Sequence, residues 1–459
     1  MRATDVEPPT DRRGGVVLMA LVSVALGVGS GLLATAFRLT LLSADGIRTQ
    51  WIVAAKGRPL VGFVLVVGLV ATAAMIAAWL VRRFAPTAGG SGIPQVEAAL
   101  AGGPLPQTAA VVPVKFIGGV LAIGGGLALG REGPSVQMGA QLGLWLGKWF
   151  RMDISDCRAL LAAGGGAGLA TAFNAPIAGA VFVLEELVRR FDPRTALAAL
   201  GASAGAIAAA RWFLGQAPDF ALSAISFPSP GTGFLFFGLG LVAGVAGVLY
   251  NRGLLVGLRL ADACHRVPVE LRAAFIGGLV GAVAWLAPDW VGGGDPLTQR
   301  ALSGQQALTV LPVLFVVRFV LSLGSYCAGT PGGLFAPLLV LGAQLGLLYS
   351  AVGQWPLPSV TTPSSAFAVV GMAALFVAVV RAPATGIILV TELTGNVTLL
   401  LPILAACFGA MLIPLLSGDR PIYDSLRERV LRVAPGTDTG VEPDHSRTIA
   451  QEVQRHRCR

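Results

Sequence analysis

The chain has 459 residues, of which 54% are hydrophobic and only 12% charged. Soluble domains carry about 25% charged residues, so a water-soluble globular protein is excluded. The formal net charge of +9 does not point to nucleic acid. The Arg and Lys residues lie mostly in short loops and tails, as membrane topology requires.

Taken from the N-terminus, Arg12 and Arg13 precede an apolar run that begins near Val16. No small-residue cleavage site follows, so this run reads as a span and not as a signal peptide. At about 20 apolar residues per helical crossing, roughly a dozen hydrophobic segments succeed one another along the chain. Between them lie polar interruptions. GGSGIP spans Gly89 to Pro94, and GREGP spans Gly130 to Pro134 with Arg131 and Glu132 side by side among glycines. NAPIAG begins at Asn174, and FVLEELVRRF carries Glu185 and Glu186. A Pro- and Gly-bearing stretch, FPSPGTG, reads as a linker. Beyond it come VGGGDP from Val291, GTPGGLFAP up to Pro337, and RAPATG from Arg381. No Asp, Glu, Lys, Arg or His occurs from Phe319 to Val380. RPIYDSL then presents Tyr423, and Arg427, Arg429 and Arg432 follow it. Basic residues at both ends point both termini to the cytoplasm.

Cys157, Cys264, Cys327, Cys407 and Cys458 are scattered without a CxxC pair, which indicates neither a metal knuckle nor a disulfide framework. His265 sits in a polar connection, and His445 and His456 in the tail. GGSG also fits the GxSG of rhomboid intramembrane proteases, with Ser91 as nucleophile. That chemistry needs a membrane-embedded base, normally His, and no histidine lies in a span.

The chain repeats itself. GAQLG at Gly139 recurs at Gly342, 203 residues on, and GREGP lies over GLFAP at the same offset. AGGSGIPQVEAALAG from Ala88 resembles VGGGDPLTQRALSG from Val291 at an offset of 202 to 203. NAPIAG lies over RAPATG at 207, which sets Glu185 over Glu392. Fixed-order blocks at nearly constant offset mark a duplication. We therefore read a transmembrane transport domain over 1–416, with repeat one at about 14–215 and repeat two at about 230–416. A C-terminal helix and tail occupy 417–459. Duplicated transporters bring broken helices together near the bilayer midplane. Whether the halves run parallel or inverted depends on the number of crossings. In this register Glu132 faces Phe335, Glu186 faces Leu393 and Ser91 faces Gly294. Scaffold residues should recur, as Glu185 does; Ser91, Glu132 and Glu186 do not, and are the functional candidates.

GGSGIP, GREGP and GTPGGLFAP share a plan. Glycines and prolines interrupt an apolar pattern before a helical one resumes, and proline suits a first helical turn. Each loop can deliver a helix N-terminus into the interior, where exposed N–H groups favour an anion. Glu132 could instead pair with Arg131, but neighbours on a helix do not face each other. Its carboxylate at such a terminus would compete with a bound anion, and protonation would end the competition.

At this point the motifs match a known family. GSGIP, GREGP, GGLFAP and the tyrosine of RPIYDSL closely resemble the CLC family of chloride channels and chloride/proton antiporters, in order along residues 15 to about 430. The resemblance implies an all-α polytopic membrane protein, two inverted repeats of tilted and broken helices, assembled as a homodimer with one pore per subunit. It implies chloride and protons as substrates and no cofactor, metal or enzymatic activity. By resemblance Ser91 and Tyr423 coordinate the central chloride, within an anion site of Ser91, Gly92, Ile93, Leu334, Phe335 and Tyr423. Glu132 looks like the external gating glutamate and Glu186 like the internal proton glutamate. An acid at the latter position favours an antiporter over the alternative, a passive voltage- or pH-gated chloride channel. Neighbouring helical residues point about 100° apart, so only one of Glu185 and Glu186 faces a pathway. Gln95 departs from the family, which commonly has an acid there; Glu97 lies a half-turn on. Ser91 and Tyr423 disfavour a fluoride exporter. With about 35 residues beyond Tyr423, no cytoplasmic nucleotide-binding domain is expected, which favours a prokaryotic-type protein of the inner membrane.

Nitrate-preferring members tend to carry proline at the Ser91 position. Ser91→Pro should therefore weaken preference for chloride relative to nitrate, read as relative anion fluxes from liposomes. Unchanged ratios would remove Ser91 from selectivity.

Overall fold

The computed structural model describes residues 9–103, 108–222, 232–353 and 362–433, with side chains from 15 to 432. The Arg12 and Arg13 side chains, linker residues 227–231, His445, His456 and Cys458 lie outside the described residues, as does the chain after 433.

The first half comprises α1 (Pro9–Ala55), α2 (Pro59–Phe84), α3 (Ile93–Leu100), α4 (Val111–Gly119), α5 (Glu132–Trp149), α6 (Ile154–Phe173), α7 (Pro176–Phe182) and α8 (Pro193–Leu214). The second comprises α9 (Gly233–Ala263), α10 (Val269–Leu286), α11 (Asp295–Leu302), α12 (Leu311–Cys327), α13 (Phe335–Gly353), α14 (Ser364–Val380), α15 (Pro383–Thr394) and α16 (Leu400–Leu416). Helix α17 (Ile422–Val433) closes the described chain. Proline in the first turn opens α2, α3, α7, α8, α11, α12 and α15, where its missing N–H costs nothing.

Among the described residues, six helices are long and apolar enough to cross a membrane, and five shorter apolar helices accompany them. Together these eleven come close to the dozen segments read from sequence, and of the five shorter ones Val111–Gly124 and Pro383–Thr394 are too short for a full crossing. Helix α1 runs 41 residues from Gly15 to Ala55, about 60 Å at 1.5 Å per residue, and carries Arg38, Asp45 and Arg48 in its second half, so only part of it suits hydrocarbon. Helix α14 is buried on every face from Ala366 to Val380, as an all-round apolar helix should be.

The duplication is visible in detail. Gly92 (φ 89°) and Gly294 (φ 95°) precede α3 and α11. Gly90 (φ 65°) and Gly292 (φ 75°) hold the same left-handed turn two residues earlier. This offset of 202 sets Ser91 over Gly293, one residue from the Gly294 read from sequence. The left-handed positions decide the register, because a backbone at positive φ calls for glycine and marks equivalent turns in the two halves. Ser91 still has no hydroxyl counterpart. Asn174 (φ 50°) ends α6 and Arg381 (φ 69°) ends α14 in matching left-handed caps. Helix α5 meets α6 where Gly139 faces Gly164, and α13 meets α14 where Gly342 faces Gly371. A Cβ at Gly139 or Gly342 would lie 2.1 or 2.5 Å from the facing carbonyl oxygen, so the backbones touch directly.

Elements on the approximate twofold pair with their own counterparts: α2 packs on α10, and α7 on α15. The repeats are inverted, as the halves of duplicated transporter folds commonly are. Glu185, in the π-helical turn Val183–Leu187 that prolongs α7, accepts the N–H groups of Ala384 (2.9 Å) and Thr385 (2.6 Å) in the first turn of α15. Glu392, near the end of α15, accepts those of Ile177 (3.1 Å) and Ala178 (2.8 Å) in the first turn of α7. Each helix thus caps the other. Carboxylates at helix N-termini satisfy orphan donors and meet the positive end of the dipole. Glu185→Gln should lower the thermal midpoint in detergent, by about 1–2 kcal/mol of stability for a lost cap. It should leave the ratio of chloride to protons unchanged, and a changed ratio would contradict a scaffold role.

Candidate functional site

Three loops meet where helices break. The GGSGIP loop joins the GTPGGLFAP loop through Gly90 N–H to Thr330 C=O (3.0 Å) and Gly332 N–H to Gly90 C=O (3.0 Å). The GREGP loop joins it through Gly130 and Gly333, which exchange bonds of 2.9 and 2.8 Å. The backbone groups freed by broken helices thus satisfy one another, as a low-dielectric surrounding demands.

Helices α3, α5 and α13 begin at this junction. Gly92 and Ile93 open α3, and Leu334 and Phe335 open α13; Ile93, Leu334 and Phe335 are wholly buried. Ser91 is 1% exposed, and its amide donates to the Tyr326 phenol oxygen at 3.4 Å. Helix α17 packs on α3 and brings Tyr423, fully buried, beside Ser91. Neither the Ser91 Oγ nor the Tyr423 hydroxyl has a hydrogen-bond partner among the described residues. Two buried hydroxyls left unpaired at one place form a donor pair suited to an anion. The Phe335 ring is held by Phe173, Phe182, Phe376 and Tyr423, with centroids 6.4, 5.8, 4.7 and 5.8 Å away.

Glu132 is fully buried at the first position of α5. Its Oε1 accepts the Phe335 N–H at 2.7 Å, and Oε2 has no hydrogen-bond partner among the described residues. The carboxylate therefore occupies one of the amides assigned from sequence to the anion. It fits because glycines surround it: a Cβ at Gly333 would lie 2.2 Å from Oε1. Arg131 turns away. It pairs with Asp295 (2.6 Å) and Asp219 (3.2 Å) and donates to Ala172 C=O (2.9 Å), so no Arg131–Glu132 pair explains the carboxylate. A cavity of about 750 Å³ adjoins this loop, lined by Gly130, Arg131, Ala336 and Asp295 among others.

Glu186 is 4% exposed on the π-helical turn after α7, and Arg189 donates to its Oε1 at 3.2 Å. Glu185 points instead to α15, so the two neighbours diverge as helix geometry requires. A second cavity, about 530 Å³, is lined by Glu185, Glu186, Arg189 and Arg381 among others. Glu97 is 1% exposed with both carboxylate oxygens unpaired, and it faces Glu186. Gln95 only touches its own loop, through Nε2 to Gly89 C=O at 3.4 Å.

Sequence reasoning missed two buried cations. Lys115, on α4, is wholly buried and donates through Nζ to the carbonyls of Ala88 (2.9 Å) and Gly90 (2.8 Å). Arg318, on α12, is 1% exposed and donates to the carbonyls of Trp290 (3.1 Å), Gly292 (2.9 Å) and Gly293 (3.3 Å). They stand 203 residues apart and hold matching loops. Their common offset was the signal available.

The geometry has a known counterpart. A family model described as voltage gated chloride channel matches residues 73–414. The chain belongs to the voltage-gated chloride channel, or CLC, family. It is 38% identical over 429 residues to the H(+)/Cl(-) exchange transporter ClcA of Vibrio parahaemolyticus serotype O3:K6, covering 92% of this chain and 91% of that one. It is 36% identical over 419 residues to the H(+)/Cl(-) exchange transporter ClcA of Citrobacter koseri, covering 90% and 88%. Among solved structures, a slow cyanobacterial Cl-/H+ antiporter matches with a TM-score of 0.86 and 32% identity, over 90% of this chain and 98% of that one. This CLC chain is thus a multi-span membrane protein of a transporter family.

Lys115 carries the strongest structural demand near the site. Lys115→Met keeps the volume but leaves the buried Ala88 carbonyl without its donor and takes from the Gly90 carbonyl the second of its two, at a cost of about 1–3 kcal/mol for the unpaired group. The variant should lose thermal stability and bind chloride more weakly by calorimetry. Binding of unchanged strength would separate the loop's hold from the anion site.

Proposed function

We propose that this CLC chain is a secondary active antiporter that exchanges chloride for protons. One observation carries the reading: the Glu132 carboxylate sits on the Phe335 amide at the junction of three broken helices. A carboxylate there is both a stand-in for the transported anion and a proton carrier. Charged, it holds the helix N-terminus and blocks the path. Protonated, it loses most of its attraction for the amide, and chloride can take its place between the Ser91 and Tyr423 hydroxyls. No full cation touches those hydroxyls. Backbone dipoles bind an anion without holding it too tightly to release.

Glu186 is the internal proton site on this reading, at the cavity beside Arg189. Protons then pass between Glu186 and Glu132, while chloride passes Ser91 and Tyr423. A passive channel needs no second buried acid, and Glu186 with Glu97 favours exchange. The relatives named H(+)/Cl(-) exchange transporters support the same choice. Chloride and protons are the substrates, and neither a cofactor nor enzymatic chemistry is invoked. We place the protein in the inner membrane as a homodimer, with both termini in the cytoplasm and 1–416 as the transport domain.

Reconstitution in liposomes tests this directly. A chloride gradient should drive protons uphill, and a protein that passes chloride without moving protons would be a channel. Glu132→Gln mimics the protonated side chain. It should fold, lose all coupling, and pass chloride with little dependence on external pH. Glu186→Gln should abolish proton movement while chloride still flows. Uphill proton movement retained in Glu132→Gln would sink the mechanism.

A further inference from the structure

The cluster around Glu186 contains a cation that exchange by itself does not call for. Arg189 follows the π-helical turn and is held at φ 57°, uncommon for a residue with a side chain. Such a backbone persists only where its surroundings fix it. What fixes it here is a set of three bonds. Its Nε donates to the Glu186 C=O at 3.1 Å, Nη2 to Glu186 Oε1 at 3.2 Å, and Nη1 to Asp424 Oδ1. The guanidinium thus spans two elements, the turn after α7 and the first turn of α17.

Asp424 is the residue next to Tyr423, and Arg427 also pairs with it, at 3.2 Å. The charged groups facing Glu186 are therefore Arg189 from its own turn, Glu97 from α3, and Asp424 with Arg427 from α17. Three carboxylates meet two guanidinium groups. Arg189 touches two of the acids, and the third, Glu97, is buried against Glu186 without a cation bonded to it among the described residues. The Arg189 side chain is 35% exposed and lines the adjoining cavity, whereas Glu186 is 4% exposed. One end of the bridge is wet and the other is dry.

We propose that Arg189 is a positioning residue of the internal proton site: it is shared between Glu186 and Asp424, and that sharing sets how readily Glu186 takes a proton. This rests on reading Glu186 as the proton site. When Glu186 is ionised, Arg189 bridges both carboxylates. When Glu186 takes a proton, Arg189 keeps only Asp424, and its hold on the turn after α7 weakens. The proton's arrival is thereby felt at α17, the helix that carries Tyr423. Asp424 acts in the opposite sense to Arg189, since it draws the guanidinium away from Glu186.

The signs follow. Removing the cation removes what favours the ionised carboxylate, so Glu186 holds its proton to higher pH. Removing Asp424 leaves Arg189 wholly to Glu186, so the proton binds less readily. Proton-coupled chloride transport should be measured in liposomes against pH on the Glu186 side, for the parent protein, Arg189→Gln, Arg189→Lys, Asp424→Asn and the double variant Arg189→Gln/Asp424→Asn. The midpoint should move alkaline in Arg189→Gln by about one pH unit, a tenfold change in proton concentration, and by less in Arg189→Lys. It should move acid in Asp424→Asn, and that acid shift should shrink in the double variant, where only the direct repulsion between the two carboxylates is left to lose. A profile for Arg189→Gln superposed on the parent's overturns the proposal. So does an Asp424→Asn shift of equal size in both backgrounds. If Arg189→Gln does not fold, Asp424→Asn decides by itself, and an unmoved midpoint there overturns the proposal. Glu186→Gln is measured alongside. Coupling retained in that variant removes Glu186 as the proton site and the proposal with it. Coupling lost there, with Arg189→Gln unshifted, removes Arg189 alone.

Discussion

Every backbone N–H and C=O freed by a broken helix must find a partner inside the protein, because hydrocarbon offers none. The rest of this structure follows from that constraint. Loops cannot be placed singly; they must be placed against one another. Gly90 pairs with the Thr330–Gly332 segment, and Gly130 with Gly333, so three helix breaks coincide. Lys115 and Arg318 collect the remaining carbonyls. Glu185 and Glu392 collect amides at the other break. What is left over is a small set of helix N-termini and unpaired hydroxyls in a dry place, and that remainder is the site.

Duplication solves the same problem twice, and function arises where the solutions part. At the start of α5 the chain has Glu132, and at the start of α13 it has Phe335. The carboxylate reaches across the twofold to the amide of its own counterpart. The phenyl ring instead fills space among four aromatic rings and cannot titrate. One repeat thus supplies the movable charge, and the other supplies the donor and seals the surroundings.

Much of this was legible before any coordinates. The repeat blocks are short identities around Gly and Pro, and such residues mark backbone breaks directly. The register then singled out Glu132 and Glu186 as residues without counterparts, and Glu185 as one with a counterpart. The structure gives the last a concrete form, since Glu185 and Glu392 cap each other's helices. Three things were not legible. The register at Ser91 slipped by one, because a run of glycines in VGGGDP offers no side chain to align; only the left-handed φ of Gly90, Gly92, Gly292 and Gly294 resolves it. Lys115 and Arg318 were passed over, since their carbonyl partners come from loops about 25 residues earlier. Arg189 and Asp424 are 235 residues apart, and nothing in local pattern relates them.

On the proposed reading, the two buried cations also explain why the anion site lies in one half. Both repeats present the same left-handed loop, and both need a donor for its carbonyls. In repeat two the donor is Arg318, whose planar fork reaches three carbonyls and stands against Gly294, where a Cβ would come within 2.7 Å of Nη2. A guanidinium laid along the loop occupies the space a ligand would need. In repeat one the donor is Lys115, a compact ammonium that reaches two carbonyls from one point. The loop beyond it stays open, and Ser91 turns an unpaired hydroxyl toward Tyr423. The ammonium lies behind the loop with its donors spent on carbonyls, so its charge reaches the junction only through the peptide groups it polarises. The site thereby gains a positive bias without a contact ion pair. On that reading an anion and the Glu132 carboxylate can replace each other there, because the same helix N-termini favour either.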